Sequence, residues 1–179
     1  THPYAQEVSE NLRLACQTAG IPCLVLRREA TPLTGCRMAA DIREAAQKCR
    51  EVPGPILLTT GAKELPAFCQ ELGEPERVFP RVLPMEESLR QCRLAGIPAR
   101  QIVAMQGPFS RVLNLALLRQ FSIAILVTKD GGPAGGMPEK LLAAQEHGAE
   151  IVVVRRPPAR GREYEAEALL ELLGKEGEG

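Results

Sequence analysis

The sequence is poor in aromatic side chains: its 179 residues include no Trp, two Tyr and four Phe. Single-stranded nucleic acids are held largely by stacking of bases on aromatic rings, and duplexes by a surplus of positive charge. Here 22 basic residues balance 22 acidic ones, so the composition argues against a nucleic-acid partner. No apolar run approaches the roughly 20 residues that a membrane helix needs, so no membrane partner is predicted either.

Metal-ligand motifs are also missing. The six cysteines are too widely spaced to form a C-x-x-C pair, and neither His2 nor His147 has a neighbour at metal-ligand spacing. We therefore predict neither a zinc nor an iron–sulfur site. Unpaired cysteines on apolar faces are typical of a reducing compartment, so we expect a cytoplasmic protein.

What the sequence does contain is a regular alternation of short apolar runs and amphipathic stretches. The runs at 56–58, 123–127 and 151–154 are continuously apolar, as strands are when helices cover both faces of a parallel sheet. Helical spacing predicts helices between them, including one over 38–49 and a last one over 163–173. The pattern predicts an α/β fold, a Rossmann-like open parallel sheet with helices on both faces, because a closed eight-stranded barrel needs about 250 residues.

Three polar, glycine-bearing loops follow predicted strands and begin at Thr59, Gln106 and Thr128. Ligands of open parallel sheets bind where such loops meet, since glycine permits close approach and helix N-termini favour anions. None of the loops matches the phosphate-loop or dinucleotide fingerprint. Lys129 and Asp130 stand out because two ionisable side chains follow a buried strand and precede four glycines within six residues.

Each loop also has a purely structural interpretation. Thr60 and Gly61 would end a strand and cap a helix, and Pro108 would occupy a first helical turn. The 17 Arg against 5 Lys are typical of genome composition or thermal adaptation, and equally of a polyanionic ligand held by bidentate hydrogen bonds. Composition and spacing leave both interpretations open.

Six segments, in this order, carry a resemblance to a known family. They read THPYA at 1–5, LLTTGAKEL at 57–65, RVLP at 81–84, AMQGPFS at 104–110, VTKD at 127–130 and PEKL at 138–141. Together they resemble precorrin-6A reductase over nearly the whole chain, from Thr1 to about Pro157. The resemblance implies an oxidoreductase that uses NADPH to reduce a CH–CH group of precorrin-6A, or cobalt-precorrin-6A, to precorrin-6B on the route to cobalamin.

The resemblance also implies two Rossmann-like domains with cofactor and macrocycle between them. We expect residues 1–60 to be the remainder of an N-terminal NADP-binding domain and residues 61–179 to form the second domain. The family begins with a strand and a Gly-Gly-Thr-x-Glu-Gly-Arg turn for the cofactor phosphates. That segment, roughly 60–80 residues or two βαβ units, does not occur in this sequence. We therefore expect the chain alone to bind NADPH weakly and to turn over slowly.

The resemblance assigns roles to residues in the loops. The expected catalytic residues are Lys129 and Asp130, either of which is able to supply a proton to the macrocycle. The expected cofactor contacts are Thr60, Gly61, Lys63, Gln106, Gly107 and Pro108. The expected substrate contacts are His2, Tyr4, Ser110, Gly135 and Gly136. A tetrapyrrole with many carboxylates would also give the arginine excess a use.

Two other hypotheses stay open at this point. A tetrapyrrole lyase or synthase that needs no nucleotide, similar to uroporphyrinogen-III synthase, would also have two α/β lobes. The third hypothesis is a non-catalytic binding lobe whose ligand site lies mainly outside this sequence. Titration with NADPH separates the reductase from the lyase, because only the reductase binds it.

Overall fold

The computed structural model describes residues 6–27, 32–132, 135–156 and 163–176. The chain divides into two compact units, one formed by Thr1–Ala30 and Arg156–Gly179 and the other by Thr31–Arg155. Strands on both sides of residue 60 pair in a single sheet. The domain boundary expected after that residue stays a prediction.

The smaller unit joins segments from both ends of the sequence. It contains helix α1 (Gln6–Ala19), strand β1 (Val25–Leu26), strand β8 (Glu163–Tyr164) and helix α7 (Ala166–Glu176). Strands β1 and β8 pair in parallel, and the N–H of Arg27 continues the pairing by donating to the Tyr164 carbonyl (2.7 Å). The helix predicted over 163–173 therefore begins only after a short strand.

The larger unit contains a six-stranded, wholly parallel sheet. Its members are β2 (Arg37–Ala39), β3 (Ile56–Leu58), β4 (Val78–Val82), β5 (Val103–Ala104), β6 (Ile125–Lys129) and β7 (Glu150–Val154). Their spatial order is β2-β7-β6-β3-β4-β5. From β3 the chain winds towards β5, whereas β6 and β7 lie on the other side of β3. The boundary between β3 and β6 is thus the switch point of the topology.

Helices cover both faces of this sheet. They are α2 (Ile42–Arg50), α3 (Leu65–Leu72), α4 (Glu86–Leu94), α5 (Arg111–Gln120) and α6 (Met137–His147). Alternate residues of β3 enter two different cores: Ile56 and Leu58 pack with α2, α3 and α4, and Leu57 packs with α5 and α6. The prediction of an open parallel α/β sheet is confirmed. None of the helices in the described part of the chain has both the length and the apolar character of a membrane span.

The helix predicted over 38–49 begins later than expected. Asp41 is its N-cap, and its Oδ1 accepts the N–H groups of Arg43 and Glu44, both at 2.9 Å. This cap fixes the start of α2 at Ile42. The residues before it extend into β2, which pairs with β7 at one edge of the sheet.

Candidate functional site

The loops after β3 and β6 lie side by side at the switch point. The N–H of Thr59 donates to the Val127 carbonyl (2.8 Å), and the Thr59 hydroxyl donates to the same carbonyl (3.0 Å). Crevices at such points are where open parallel sheets bind ligands. The structure thus brings the expected cofactor loop at Thr60 next to the expected catalytic pair at Lys129.

Lys129 forms an ion pair across this crevice. Its Nζ lies 2.8 Å from Oε1 of Glu64, with the two side chains 15% and 30% exposed. Glu64 ends the 3-10 turn Ala62–Glu64 that follows β3, so the pair ties one loop to the other. Among the described residues, Oε2 of Glu64 and Oγ1 of Thr60 are buried without a hydrogen-bond partner. Buried acceptors of this kind are costly unless a ligand or water supplies donors.

Asp130 is buried at 6% exposure and shapes its own loop. Its Oδ1 accepts the N–H of Gly132 (3.1 Å), a short-range turn that glycine permits because its φ is +72°. Gly135 donates its N–H to the Gly132 carbonyl (3.0 Å), and Gly136 forms the left-handed N-cap of α6. The catalytic role expected of Asp130 and the substrate roles expected of Gly135 and Gly136 stay predictions.

The segment Gln106–Ser110 starts at the edge strand β5, two strands away from the switch point. Gln106, Gly107 and Pro108 are exposed, and the Gly107–Pro108 peptide is cis. Ser110 caps the next helix, because its Oγ accepts the N–H of Leu113 (3.2 Å) in the first turn of α5. The substrate contact expected of Ser110 and the cofactor contacts expected of the other three stay predictions.

Of the other expected ligand contacts, two fall outside the described residues and two, Gly61 and Lys63, follow strand β3. His2 and Tyr4 belong to the undescribed residues. Gly61 follows Thr60 with φ +96°, and nothing lies within 4 Å of the place where a Cβ would be, so its backbone faces open space. Lys63 is exposed in the next turn.

A polar network that the sequence did not predict supports these loops. The guanidinium of Arg81, at the end of β4, lies 4.2 Å from the centre of the Phe109 ring, and its Nη1 donates to Oδ1 of Asn114 (2.7 Å). Nδ2 of Asn114 in turn donates to the carbonyls of Phe109 (3.3 Å) and Ser110 (2.9 Å). Arg81 therefore holds the loop before α5 in place through contacts with the Phe109 ring and the side-chain amide of Asn114.

Lys140, on α6, belongs to the same side of the sheet. Its Nζ donates to Oγ1 of Thr128 (2.9 Å). Burial of the ammonium group, together with the charge of Arg81, lowers the pKa of Lys140 to about 7. Burial likewise lowers the pKa of Arg81 to about 10. Arg81 and Lys140 both lie in segments that carry the family resemblance. As ionisable residues in such segments, they could have been predicted from the sequence as functional residues.

Comparison with known proteins identifies the family. Over residues 1–174 the chain matches the family model described as Precorrin-6x reductase CbiJ/CobK. The chain belongs to the precorrin-6x reductase family. It is 34% identical over 161 residues to the cobalt-precorrin-6A reductase of Priestia megaterium, and 37% identical over 160 residues to that of Methanothermobacter thermautotrophicus.

These alignments cover 88% of this chain, but only 63% and 53% of the two relatives. The chain therefore spans less than two thirds of the length of these two relatives. The solved structure of CobK precorrin-6A reductase superposes with a TM-score of 0.76 at 25% identity, covering 99% of this chain and 71% of that one. The family expected from the six segments is confirmed.

Proposed function

We propose that the chain is part of an NADPH-dependent reductase that converts precorrin-6A, or cobalt-precorrin-6A, to precorrin-6B in cobalamin biosynthesis. The observation that carries the proposal is the meeting of the Thr60 and Lys129 loops at the switch point of a chain that belongs to this family. The family model and the relatives named above are reductases, which favours this hypothesis over a nucleotide-free lyase.

The end of β3 fits a nicotinamide nucleotide. Buried acceptors without donors, on Thr60 and Glu64, match the hydroxyl and amide donors that such a cofactor carries. The open space at the Cβ position of Gly61 lets a ligand approach the backbone closely. The proposed cofactor contacts remain Thr60, Gly61, Lys63, Gln106, Gly107 and Pro108. NADPH, when bound, supplies the hydride.

The chain itself must place the substrate and provide a proton. The ammonium of Lys129 carries a transferable proton, and Glu64 holds that group at the crevice. Asp130 stands beside it in a loop fixed by Gly132. We propose Lys129 and Asp130 as the catalytic pair. The proposed substrate contacts on a carboxylate-rich tetrapyrrole remain His2, Tyr4, Ser110, Gly135 and Gly136.

The test is the rate of NADPH oxidation by full-length protein with cobalt-precorrin-6A. Lys129→Ala is expected to lower turnover by about 100-fold or more, the range typical of a lost general acid, with little change in the Kd of NADPH. Lys48→Ala is the matched control, because Lys48 lies on α2 and pairs with Glu44 of the same helix. A Lys129→Ala enzyme as fast as the control would remove Lys129 from the reaction.

A further inference from the structure

Two cations, Arg81 and Lys140, lie on one face of the sheet at its carboxyl edge: Arg81 is on β4, and Lys140 binds Thr128 on β6, with strand β3 between them. Arg81 is 7% exposed and Lys140 is partly exposed, so the pair borders solvent at this edge. The protein gives Arg81 an amide oxygen from Asn114 and the ring of Phe109, and gives Lys140 the hydroxyl of Thr128. All of these partners are uncharged.

Within the described ranges, neither cation has a carboxylate within ion-pair distance. Each charge has nevertheless lost much of its hydration, and the field of Arg81 adds to the effect of burial in lowering the pKa of Lys140. Two desolvated charges of one sign are expensive to hold together, and a protein pays that cost where an opposite charge will bind.

Two of the carboxylates on the surrounding elements, those of Asp130 and Glu146, are engaged elsewhere. Asp130, beyond β6, accepts from its own loop. Glu146 of α6 binds Arg111 of α5, with Nε and Oε2 at 3.1 Å. Glu139 lies in the first turn of α6, where its Oε2 is 3.9 Å from the place that a Cβ of Gly136 would take. None of these three carboxylates forms an ion pair with Arg81 or Lys140 in the described part of the chain.

The cation pair is distinct from the Lys129–Glu64 pair. Thr128 and Arg81 each lie one residue beyond the last position at which their strand pairs with β3, so they stand level on the face covered by α5 and α6. Lys129 follows Thr128 and so points to the opposite face. The Phe109 carbonyl lies 4.0 Å from the Cβ position of Gly136, which places the loops before α5 and α6 together beside the cations.

We propose that Arg81 and Lys140 together form a subsite for one anionic group of a bound ligand, a carboxylate or a phosphate, next to the loops that carry Phe109 and Gly136. Under the proposed function, on which the choice of ligand rests, the two sources are a side chain of the tetrapyrrole and a phosphate of the dinucleotide. An anion held there restores the proton of Lys140, so binding near neutral pH takes up a proton.

The experiment is a titration of full-length protein with uroporphyrin and, separately, with NADP⁺ at about pH 7.5. Lys140→Met is expected to weaken binding of one of them by about 10-fold or more, the effect of one charge-assisted hydrogen bond. Weaker uroporphyrin binding assigns the subsite to a carboxylate, and weaker NADP⁺ binding assigns it to a phosphate. Unchanged affinity for both, or equal losses in the Lys48→Met control, would overturn the proposal.

The number of protons taken up on binding is a second measurement, and it would not change if the role of Lys140 were only structural. Calorimetric titration in two buffers of different ionisation enthalpy should show proton uptake with wild-type protein. Lys140→Arg should retain the affinity without the uptake, because arginine stays charged. Wild-type protein that binds neither probe refutes the subsite alone, since the proposed reaction is tested separately by turnover of cobalt-precorrin-6A.

Discussion

Replacing Lys140 by Met should stabilise the protein at low pH and lose that advantage as the pH rises. In the folded state the pKa of Lys140 is lowered from 10.5 to about 7. Below about pH 7 the side chain is protonated in both states, so the folded state bears the full cost of the buried charge. Between about pH 7 and 10.5 only the unfolded chain binds the proton, so wild-type stability rises with pH through this window.

The expected size follows from the same pKa change. Each pKa unit corresponds to about 1.4 kcal/mol, so the lowered pKa corresponds to a few kcal/mol, at most about 5 kcal/mol. Methionine removes this cost and also removes the hydrogen bond to Thr128, worth about 1 kcal/mol. We therefore expect a net gain of about 1–3 kcal/mol near pH 6, and a loss of up to about 1 kcal/mol near pH 10.

The assay is urea unfolding of wild type and Lys140→Met, followed by circular dichroism in reducing buffer between about pH 6 and 10. The quantity of interest is the difference between the two free energies of unfolding, because the titration of all other groups cancels in it. Lys48→Met should show no such trend, since its ion pair with Glu44 lies on the surface of α2. A Lys140→Met difference that stays constant with pH, within about 0.5 kcal/mol, would refute the reasoning.

Three further substitutions test the other contacts. Glu64→Gln keeps the shape of its side chain but removes the charge that holds Lys129, so steady-state kinetics should show a lower kcat with a nearly unchanged KM for NADPH; an unchanged kcat would exclude a positioning role. Ser110→Ala should lower the free energy of unfolding by about 1 kcal/mol through loss of the α5 cap, and Ser110→Asp should restore it. If Ser110→Asp also binds uroporphyrin normally, the substrate contact proposed for this hydroxyl is wrong. Gly54→Ala should destabilise by several kcal/mol in thermal unfolding, since its Cβ would lie 2.7 Å from that of Ala124 at φ +111°; a melting temperature equal to wild type would contradict that contact.

The sheet was predictable where burial dominates the sequence. Strands β3, β6 and β7 lie inside helix-covered layers, so their apolar runs mark them without any knowledge of partners. Strands β2 and β8 could not be found in this way. Each has only two or three residues, and each exists because it pairs with a strand more than a hundred positions away in the sequence. Local periodicity contains no information about such pairing.

The candidate site, too, was only partly predictable from the sequence. Thr60 and Lys129 were predictable because the carboxyl ends of parallel strands always meet at one edge. The partner of Lys129 was not, since Glu64 reaches it only through the 3-10 turn after β3. Arg81 and Lys140 were not predictable from the loop pattern for a related reason: one lies within a strand and the other within a helix, away from the glycine-bearing loops that indicate a ligand site in the sequence.

The pairing of β1 with β8 also sets an order of events during protein synthesis. The larger unit, Thr31–Arg155, is continuous in sequence, so all of its sheet has been synthesised before strand β8 is translated. The smaller unit cannot close until Glu163 and Tyr164 emerge, because they are the partners of Val25 and Leu26. Domains generally fold as units during translation. The β1–β8 pair therefore forms only after the whole of the larger unit has been synthesised.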